Sequence, residues 1–142
     1  MKEVIERLCK YLIISSKKEI NITEIEELFH YNRAYLMRSF KEYTGYTIIE
    51  YVNMVRVYKT IDPLVYTDDT ILKISLNNGF NSQEYYSEKF KDVIGISPLS
   101  FRKEYSLINK SINELKEKRE SLLNLKNKGK ELINIKIYKK TA

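Results

Sequence analysis

The 142-residue sequence has few of the residues that disulfide-linked, metal-binding or loop-rich proteins need. Its single cysteine, Cys9, excludes an intramolecular disulfide framework and is typical of a reducing cytoplasm. Its single histidine, His30, excludes a histidine metal cluster and a histidine-based catalytic triad. Four glycines and two prolines are too few for an all-β or loop-rich architecture, so helices should dominate.

Signals for membrane insertion, secretion and catalysis are also missing from the sequence. No stretch approaches the roughly 20 apolar residues of a membrane-spanning helix, and the N-terminal segment mixes acidic and basic residues, unlike a signal peptide. The sequence contains no glycine-rich phosphate loop, metal-ligand spacing or nucleophile elbow. The adjacent Asp68 and Asp69 fit helix capping better than catalysis. We therefore expect no enzyme activity, no cofactor and no membrane partner.

The positive charge is unevenly distributed along the chain. Lys and Arg exceed Asp and Glu by 25 to 19, a net charge of +6. Residues 106–142 hold ten basic and four acidic residues, whereas residues 1–105 hold fifteen of each. Within that neutral part, residues 31–60 carry +3. Basic segments favour a polyanionic partner, because the phosphates that they neutralise release counterions. In this sequence only residues 31–60 and the tail are such basic segments.

An internal repeat organises the chain. Residues 32–47 return fifty positions later as residues 82–97, and four positions are identical: Tyr35/Tyr85, Phe40/Phe90, Lys41/Lys91 and Gly45/Gly95. Each copy predicts a helix that a small polar residue opens, either Asn32 or Asn81/Ser82, and that a glycine closes. One apolar face recurs at helical spacing, formed by Leu36, Phe40 and Tyr43 in the first copy and by Tyr86, Phe90 and Val93 in the second.

A shorter helix is predicted before each repeated helix. Thr23 and Glu26 have capping-box spacing and should open a helix that runs to about Phe29. Thr70 or Asp69 should cap a helix over residues 71–76 that ends near Gly79. A helix, a brief turn and a second helix with a polar outer face form a helix-turn-helix unit. The sequence thus predicts two units, at about 20–45 and 70–95.

The remaining segments are predicted to connect or extend these units. We expect a first helix over residues 2–14, a joining helix from Thr47 that Pro63 ends or kinks near Ile61, and a last helix over 99–105. In the tail, a near-heptad stripe predicts a basic helix, and alternation over 132–138 predicts a short strand. The stripe consists of Ile108, Ile112, Leu115 and Leu122.

From about residue 3 to 105 the sequence resembles the DNA-binding domain of the AraC/XylS transcription regulators. That family's second unit reads Ile-Ala, Gly-Phe, Tyr-Phe, Phe-Lys, Gly, Pro, Tyr-Arg. The matching residues here are Ile74-Ser75, Gly79-Phe80, Tyr85-Tyr86, Phe90-Lys91, Gly95, Pro98 and Phe101-Arg102. The family's Tyr-Leu-Asn-x-x-Arg in the joining helix corresponds to Tyr51-Val52-Asn53-Met54-Val55-Arg56.

The resemblance implies an all-α DNA-binding domain over 1–105, with two homeodomain-like helix-turn-helix units joined by a linker helix, followed by a C-terminal extension over 106–142. The helices at 32–44 and 82–94 would enter successive major grooves. The implied base-reading residues are Arg33, Ala34, Met37, Arg38, Gln83, Glu84, Ser87 and Glu88. The implied phosphate contacts are Asn32, Lys41, Arg56, Ser82, Lys91 and Arg102, although Arg56 and Arg102 would serve equally well to brace helices through carboxylates.

Some residues depart from the family pattern. Glu88 stands where the family often has arginine, and with Glu84 it places two carboxylates on the outer face of the second repeated helix. A glutamate can accept from cytosine N4 but repels phosphates, so the first unit should dominate affinity. Glu26 and His30 replace a small residue and a turn glycine, which predicts a differently shaped first turn.

The resemblance implies a cytoplasmic, nucleoid-associated regulator that binds specific double-stranded DNA and activates transcription by touching RNA polymerase. The alternative is an AraC-like interaction protein, an anti-activator that keeps the fold but binds a protein partner instead of DNA. A weak homodimer through 108–125 is a further expectation for the tail. No small-molecule effector is expected, since 142 residues leave no room for a ligand-sensing domain.

Overall fold

The computed structural model describes residues 1–106, 119–124 and 127. Residues 1–106 form eight α-helices: α1 (Lys2–Ile14), α2 (Ile22–Phe29), α3 (Arg33–Thr44), α4 (Ile48–Lys59), α5 (Ile61–Tyr66), α6 (Ile71–Asn77), α7 (Gln83–Ile94) and α8 (Pro98–Ser106). The described residues contain no strand, so the predicted all-α class is confirmed. The predicted strand at 132–138 lies outside the described residues.

The first unit consists of α2 and α3, and its opening residue differs from the prediction. The side chain of Asn21 accepts from the backbone N–H groups of Thr23 at 3.0 Å and Glu24 at 3.2 Å. The capping box expected at Thr23 is therefore wrong, because Asn21 already satisfies the free N–H groups two residues earlier. His30 ends α2 in the left-handed conformation with φ of 61°, where the family has glycine.

The two repeated helices, α3 and α7, begin and end as the repeat predicts. Asn32 accepts from the N–H of Tyr35 at 2.9 Å, and Ser82 accepts from the N–H of Tyr85 at 3.1 Å. Gly45 and Gly95 follow with φ of 84° and 101°, a conformation that costs a residue with a side chain more than it costs glycine. Both helices are 12 residues long.

The joining helix α4 begins after Thr47, as predicted, and is interrupted before Pro63. It ends at Lys59, and α5 resumes at Ile61 with Thr60 between them. Pro63 has no N–H to donate to the carbonyl of Lys59, and its ring would clash with that carbonyl in a continuous helix. The hydroxyl of Thr60 donates to the carbonyl of Val57 at 2.6 Å. A continuous span of 12 residues is about 18 Å long.

Two hydrophobic cores hold the helices together, and α4 contributes to both. Leu8, Ile25 and Phe40 are among the buried residues of the first core, which also receives Tyr51 and Val52 from α4. The second core contains Val57 from α4 together with buried residues of α5 to α8 and of the turn before α7. These are Ile61, Leu64, Val65, Ile74, Phe80, Tyr86, Phe90 and Phe101. Each helix-turn-helix unit is therefore built on its own core.

The described part of the tail joins the second core. Residues 119–124 are helical, and Leu122 is buried in that core while Leu123 is exposed. Leu122 is therefore not available for the homodimer contact expected through 108–125. The other residues of the predicted stripe, Ile108, Ile112 and Leu115, lie outside the described residues. Across the described ranges, no helix is long and apolar enough to cross a membrane.

Candidate nucleic-acid interface

The outer face of α3 is defined by Arg33, Ala34, Met37, Arg38 and Lys41, and all five are exposed. On the inner face, Leu36 and Phe40 are completely buried. The helix is held to the first core by one face, and its cationic and small side chains point into solvent on the other. This is the arrangement that a helix needs to enter a DNA groove without disturbing its own packing.

Arg33 is exposed but not free. Its backbone N–H donates to Oε2 of Glu26 at 2.8 Å, and its Nη2 lies 3.2 Å from Oε1 of the same carboxylate. Nη2 also lies 3.4 Å from the hydroxyl of Thr23. Asn32 is likewise occupied, since its side chain caps α3. Of the arginines on this face, Arg38 is therefore the one whose guanidinium is not held by a carboxylate in the described residues.

Two tyrosines that were not among the predicted site residues, Tyr31 and Tyr35, extend the outer face of α3. The rings of Tyr31 and Tyr35 stack with centroids 5.4 Å apart, and each side chain is 38% exposed. The guanidinium carbon of Arg38 lies 5.8 Å from the ring centroid of Tyr35. The sequence carried one signal for this exposure. Leu36 and Phe40 define the inward face of α3, and position 35 lies off that face and so points outward.

The outer face of α7 has the opposite charge character. Gln83, Glu84 and Glu88 are exposed, and Ser87 is half-buried. The exposed Lys91 is the counterpart of Lys41, which lies 4.0 Å from Glu50. Because Glu88 occupies the position of Arg38, the two outer faces differ in charge at this position: a cation in the first unit and a carboxylate in the second.

Tyr85, the counterpart of Tyr35, is anchored differently. Its hydroxyl accepts from the side-chain amide of Asn53 at 2.7 Å, which links α7 to α4. The ammonium of Lys89 lies 5.2 Å from the centre of the Tyr85 ring. The cation beside Tyr85 therefore comes from the fourth residue after the tyrosine, whereas the cation beside Tyr35 comes from the third.

Arg56 and Arg102, expected either to contact phosphate or to brace helices, both donate to backbone carbonyls of the protein itself. Arg56 is only 6% exposed, and it donates to the carbonyls of Ser16 at 2.6 Å and Lys18 at 2.8 Å. Arg102 donates to the carbonyl of Leu64 at 2.9 Å. Both guanidinium groups brace neighbouring segments, as the alternative proposed, and they do so by donating to backbone carbonyls.

Burial changes the acid–base properties of several side chains in the described part of the chain. Burial raises the pKa of the Cys9 thiol to about 12, which keeps it protonated and unreactive near neutral pH. Burial lowers the pKa of Arg56 and of Lys59, and Lys17 adds to the effect at Lys59. Among the described residues, no group of three or more His, Cys, Asp and Glu side chains is placed to hold a metal ion.

Residues 26–104 match the family described as "Helix-turn-helix domain". The HTH-type transcriptional regulator MtrA of Neisseria gonorrhoeae is 33% identical over 97 residues, which cover 68% of this chain and 32% of that protein. An HTH-type transcriptional regulator of Staphylococcus aureus (strain COL) is 26% identical over 98 residues, 69% of this chain and 13% of its own length. The chain thus spans a third or less of these relatives.

Solved structures show the same fold. A transcriptional regulator from Chromobacterium violaceum, described as having an AraC-type DNA-binding domain, matches with a TM-score of 0.66 at 21% identity, over 73% of this chain and 93% of that one. The DNA-binding domain of AdpA, solved in complex with a target DNA, matches with a TM-score of 0.64 at 18% identity. That match covers 71% of this chain and 91% of the AdpA domain.

Proposed function

Because the chain belongs to the AraC-type helix-turn-helix family, we propose that it is a regulator of transcription that binds specific sequences in double-stranded DNA. In this proposal α3 lies in one major groove and α7 in the next. The location would be the cytoplasm, at the nucleoid. The observation that carries the proposal is the exposed cationic face of α3 above the completely buried Leu36 and Phe40.

The proposed base-reading residues differ in whether another side chain of the protein already holds them. Arg38 is the main candidate in the first unit, since arginine can hold guanine O6 and N7 with two hydrogen bonds. Ala34 and Met37 are placed to contact a thymine methyl group, and Met37 is 47% exposed. Arg33 would contribute after leaving Glu26, or would remain with it and help to hold α3.

We propose that the first unit supplies most of the affinity. Residues 31–60 carry +3, whereas residues 61–105 carry −2. Gln83, Glu84, Ser87 and Glu88 would then read bases weakly, and the two glutamates would weaken attraction to nearby phosphates. Lys41 and Lys91 are the proposed phosphate contacts, with the helix starts at Asn32 and Ser82 offering backbone N–H groups.

The activating sense and a contact with RNA polymerase come to the proposal from the resemblance to the AraC/XylS regulators alone. Neither is tied to a particular residue of this chain. A run-off transcription assay on a template that carries the selected site would test both: we expect more transcript when the protein is added, and less transcript would contradict activation.

The proposal is tested by selecting bound duplexes from a random pool and then measuring affinity for the selected site at several salt concentrations. We expect one recurring motif and a logarithm of the association constant that falls linearly with the logarithm of salt concentration, by about 0.9 per neutralised phosphate. A pool without enrichment and a flat salt dependence would overturn the proposal. That result would favour the interaction protein that binds a protein partner.

A further inference from the structure

The turn of the second helix-turn-helix unit meets the end of α4 and the loop after α1 at a polar contact that we call the junction, formed by Ser16, Arg56 and Gly79. Ser16 follows α1, Arg56 lies in the last turn of α4, and Gly79 lies in the turn between α6 and α7. The Nε of Arg56 donates to the carbonyl of Ser16 at 2.6 Å, and its Nη2 donates to the carbonyl of Lys18 at 2.8 Å. One side chain therefore ties α4 to the loop that precedes the first unit.

Gly79 brings the second unit onto the same contact. A Cβ atom at this position would lie 2.5 Å from the carbonyl oxygen of Ser16 and 2.7 Å from the Nε of Arg56. Both distances are shorter than a van der Waals contact, and φ of +96° also favours glycine. The turn of the second unit thus rests directly on the loop between α1 and α2, at the carbonyl of Ser16.

The junction lies directly beside the interruption of the joining helix. Because α4 ends at Lys59 and α5 begins at Ile61, no continuous helix connects α4 to the second unit. Lys59 reinforces the contact, since its ammonium donates to the hydroxyl of Ser16 at 2.6 Å and also to the carbonyl of Ile13. A second link, from the amide of Asn53 to the hydroxyl of Tyr85, joins α4 directly to α7.

We propose that the junction fixes the angle between α3 and α7 and thereby sets the spacing of the two DNA half-sites that the protein accepts. Arg56 is in this view a positioning residue: it touches no base and no phosphate, and it acts through the placement of α7. The consequence for DNA rests on the proposed function, whereas the consequence for the angle between the helices does not.

The angle is measured without DNA by placing spin labels on the two repeated helices with Glu42→Cys and Asp92→Cys. These positions are exposed counterparts in the repeat, and the buried Cys9 is not accessible to the label. In the labelled protein, Arg56→Met and Gly79→Ala should broaden or shift the distribution of distances between labels. If circular dichroism shows that Arg56→Met does not fold, Arg56→Lys, which keeps a cation but can reach fewer carbonyls, replaces it.

Arg102→Met is the matched control. It removes a guanidinium that also donates to backbone carbonyls, but those carbonyls belong to Pro63, Leu64 and Thr67, beside or within the second unit. The distance distribution of this control should equal that of the labelled parent protein. Unchanged distributions in all folded junction variants would overturn the proposal, and so would an equal broadening in the Arg102→Met control.

The consequence for DNA is measured on duplexes in which the two selected half-sites are moved together or apart by one and two base pairs. The parent protein should lose at least about tenfold in affinity at a wrong spacing, the size of one mismatched base pair. Junction variants should lose less than about threefold and should bind the first half-site alone as the parent does. Retained spacing discrimination in folded variants would contradict the proposal. If the parent binds no duplex, the proposed function fails, and the label distances still decide the junction.

Discussion

The carboxylate of Glu26 accepts the backbone N–H of Arg33 at 2.8 Å and pairs with the guanidinium of the same residue at 3.2 Å. Through this double contact, α2 caps the first residue of α3 from outside that helix. Negative charge at a helix N-terminus is favourable because the free N–H groups there carry partial positive charge. The larger residue at position 26 therefore stabilises the first turn by an interaction that the family's small residue cannot make.

Glu26→Ala should lower the free energy of unfolding by about 1–2 kcal/mol, the usual cost of losing a helix cap. The backbone N–H of Arg33 would lose its acceptor, and the guanidinium would lose its partner. Urea unfolding followed by circular dichroism measures the change. Glu27→Ala, at the exposed neighbouring position, is the control and should stay within about 0.5 kcal/mol of the parent protein. Equal losses in the two variants would contradict the capping role.

The helices could be predicted because their determinants are local in sequence. Apolar residues at helical spacing gave the buried faces of α3 and α7, and Leu36, Phe40, Tyr86 and Phe90 are completely buried. Small polar residues and glycines gave the ends, as the caps at Asn32 and Ser82 show. Pro63 predicted the interruption after α4, because a proline disrupts the helix over the four preceding residues whatever the rest of the fold.

The side-chain partners could not be predicted, because they depend on distances between elements far apart in sequence. For Arg56 the sequence left phosphate contact and helix bracing open, and its acceptors lie 38 and 40 positions earlier, at Lys18 and Ser16. The stacking of Tyr31 on Tyr35 depends on the shape of the turn after α2, where His30 takes the left-handed conformation. Asn21 rather than Thr23 caps α2. The two residues lie two positions apart, and only the backbone conformation decides which side chain accepts from the free N–H groups.

Arg38→Ala should weaken binding to the selected DNA site by about 1–3 kcal/mol, the discrimination that a two-bonded arginine–guanine contact provides. It should also relax the preference at one base pair. A titration by fluorescence anisotropy against the selected site and its single-base variants measures both effects. The control is Glu42→Ala on the same helix, which removes an exposed carboxylate outside the proposed base-reading set. Unchanged affinity in Arg38→Ala would show that α3 does not read bases with this face.

Glu88→Gln should strengthen DNA binding severalfold at low salt, because it removes a negative charge from the outer face of α7 while keeping the size of the side chain. The gain should shrink as salt is added. The competing role, acceptance of a hydrogen bond from cytosine N4, predicts weaker binding and a lost preference at one base pair. Affinity at two salt concentrations separates the two roles. Asp92→Asn, at an exposed position near the end of α7, is the matched control for charge alone.

Stability should fall at alkaline pH. Burial raises the pKa of Cys9 from 9.0 to about 12, and it also raises the pKa of Tyr51 and Tyr86. The unfolded chain releases the Cys9 proton above about pH 9 and the two tyrosine protons above about pH 10, whereas the folded chain retains them. The stabilisation is therefore complete below pH 9 and is lost progressively as the pH rises above these values. Urea unfolding between pH 7 and 11 should show this decline. Each group contributes a slope of about 1.4 kcal/mol per pH unit within its window, and Cys9→Ala should remove the slope of one group.

Gly79→Ala and Gly95→Ala form a matched pair, since both glycines have positive φ, 96° and 101°, and only one is crowded. At Gly95 a Cβ atom would meet no atom within 4 Å, so Gly95→Ala should cost only the backbone strain of about 1 kcal/mol. At Gly79 the added atom meets the backbone carbonyl of Ser16, which cannot move without disturbing the Arg56 hydrogen bond. Gly79→Ala should therefore cost about 2 kcal/mol more than Gly95→Ala, as read from urea midpoints. Equal losses would mean that the loop yields freely, and the two units would then not be held together at this point.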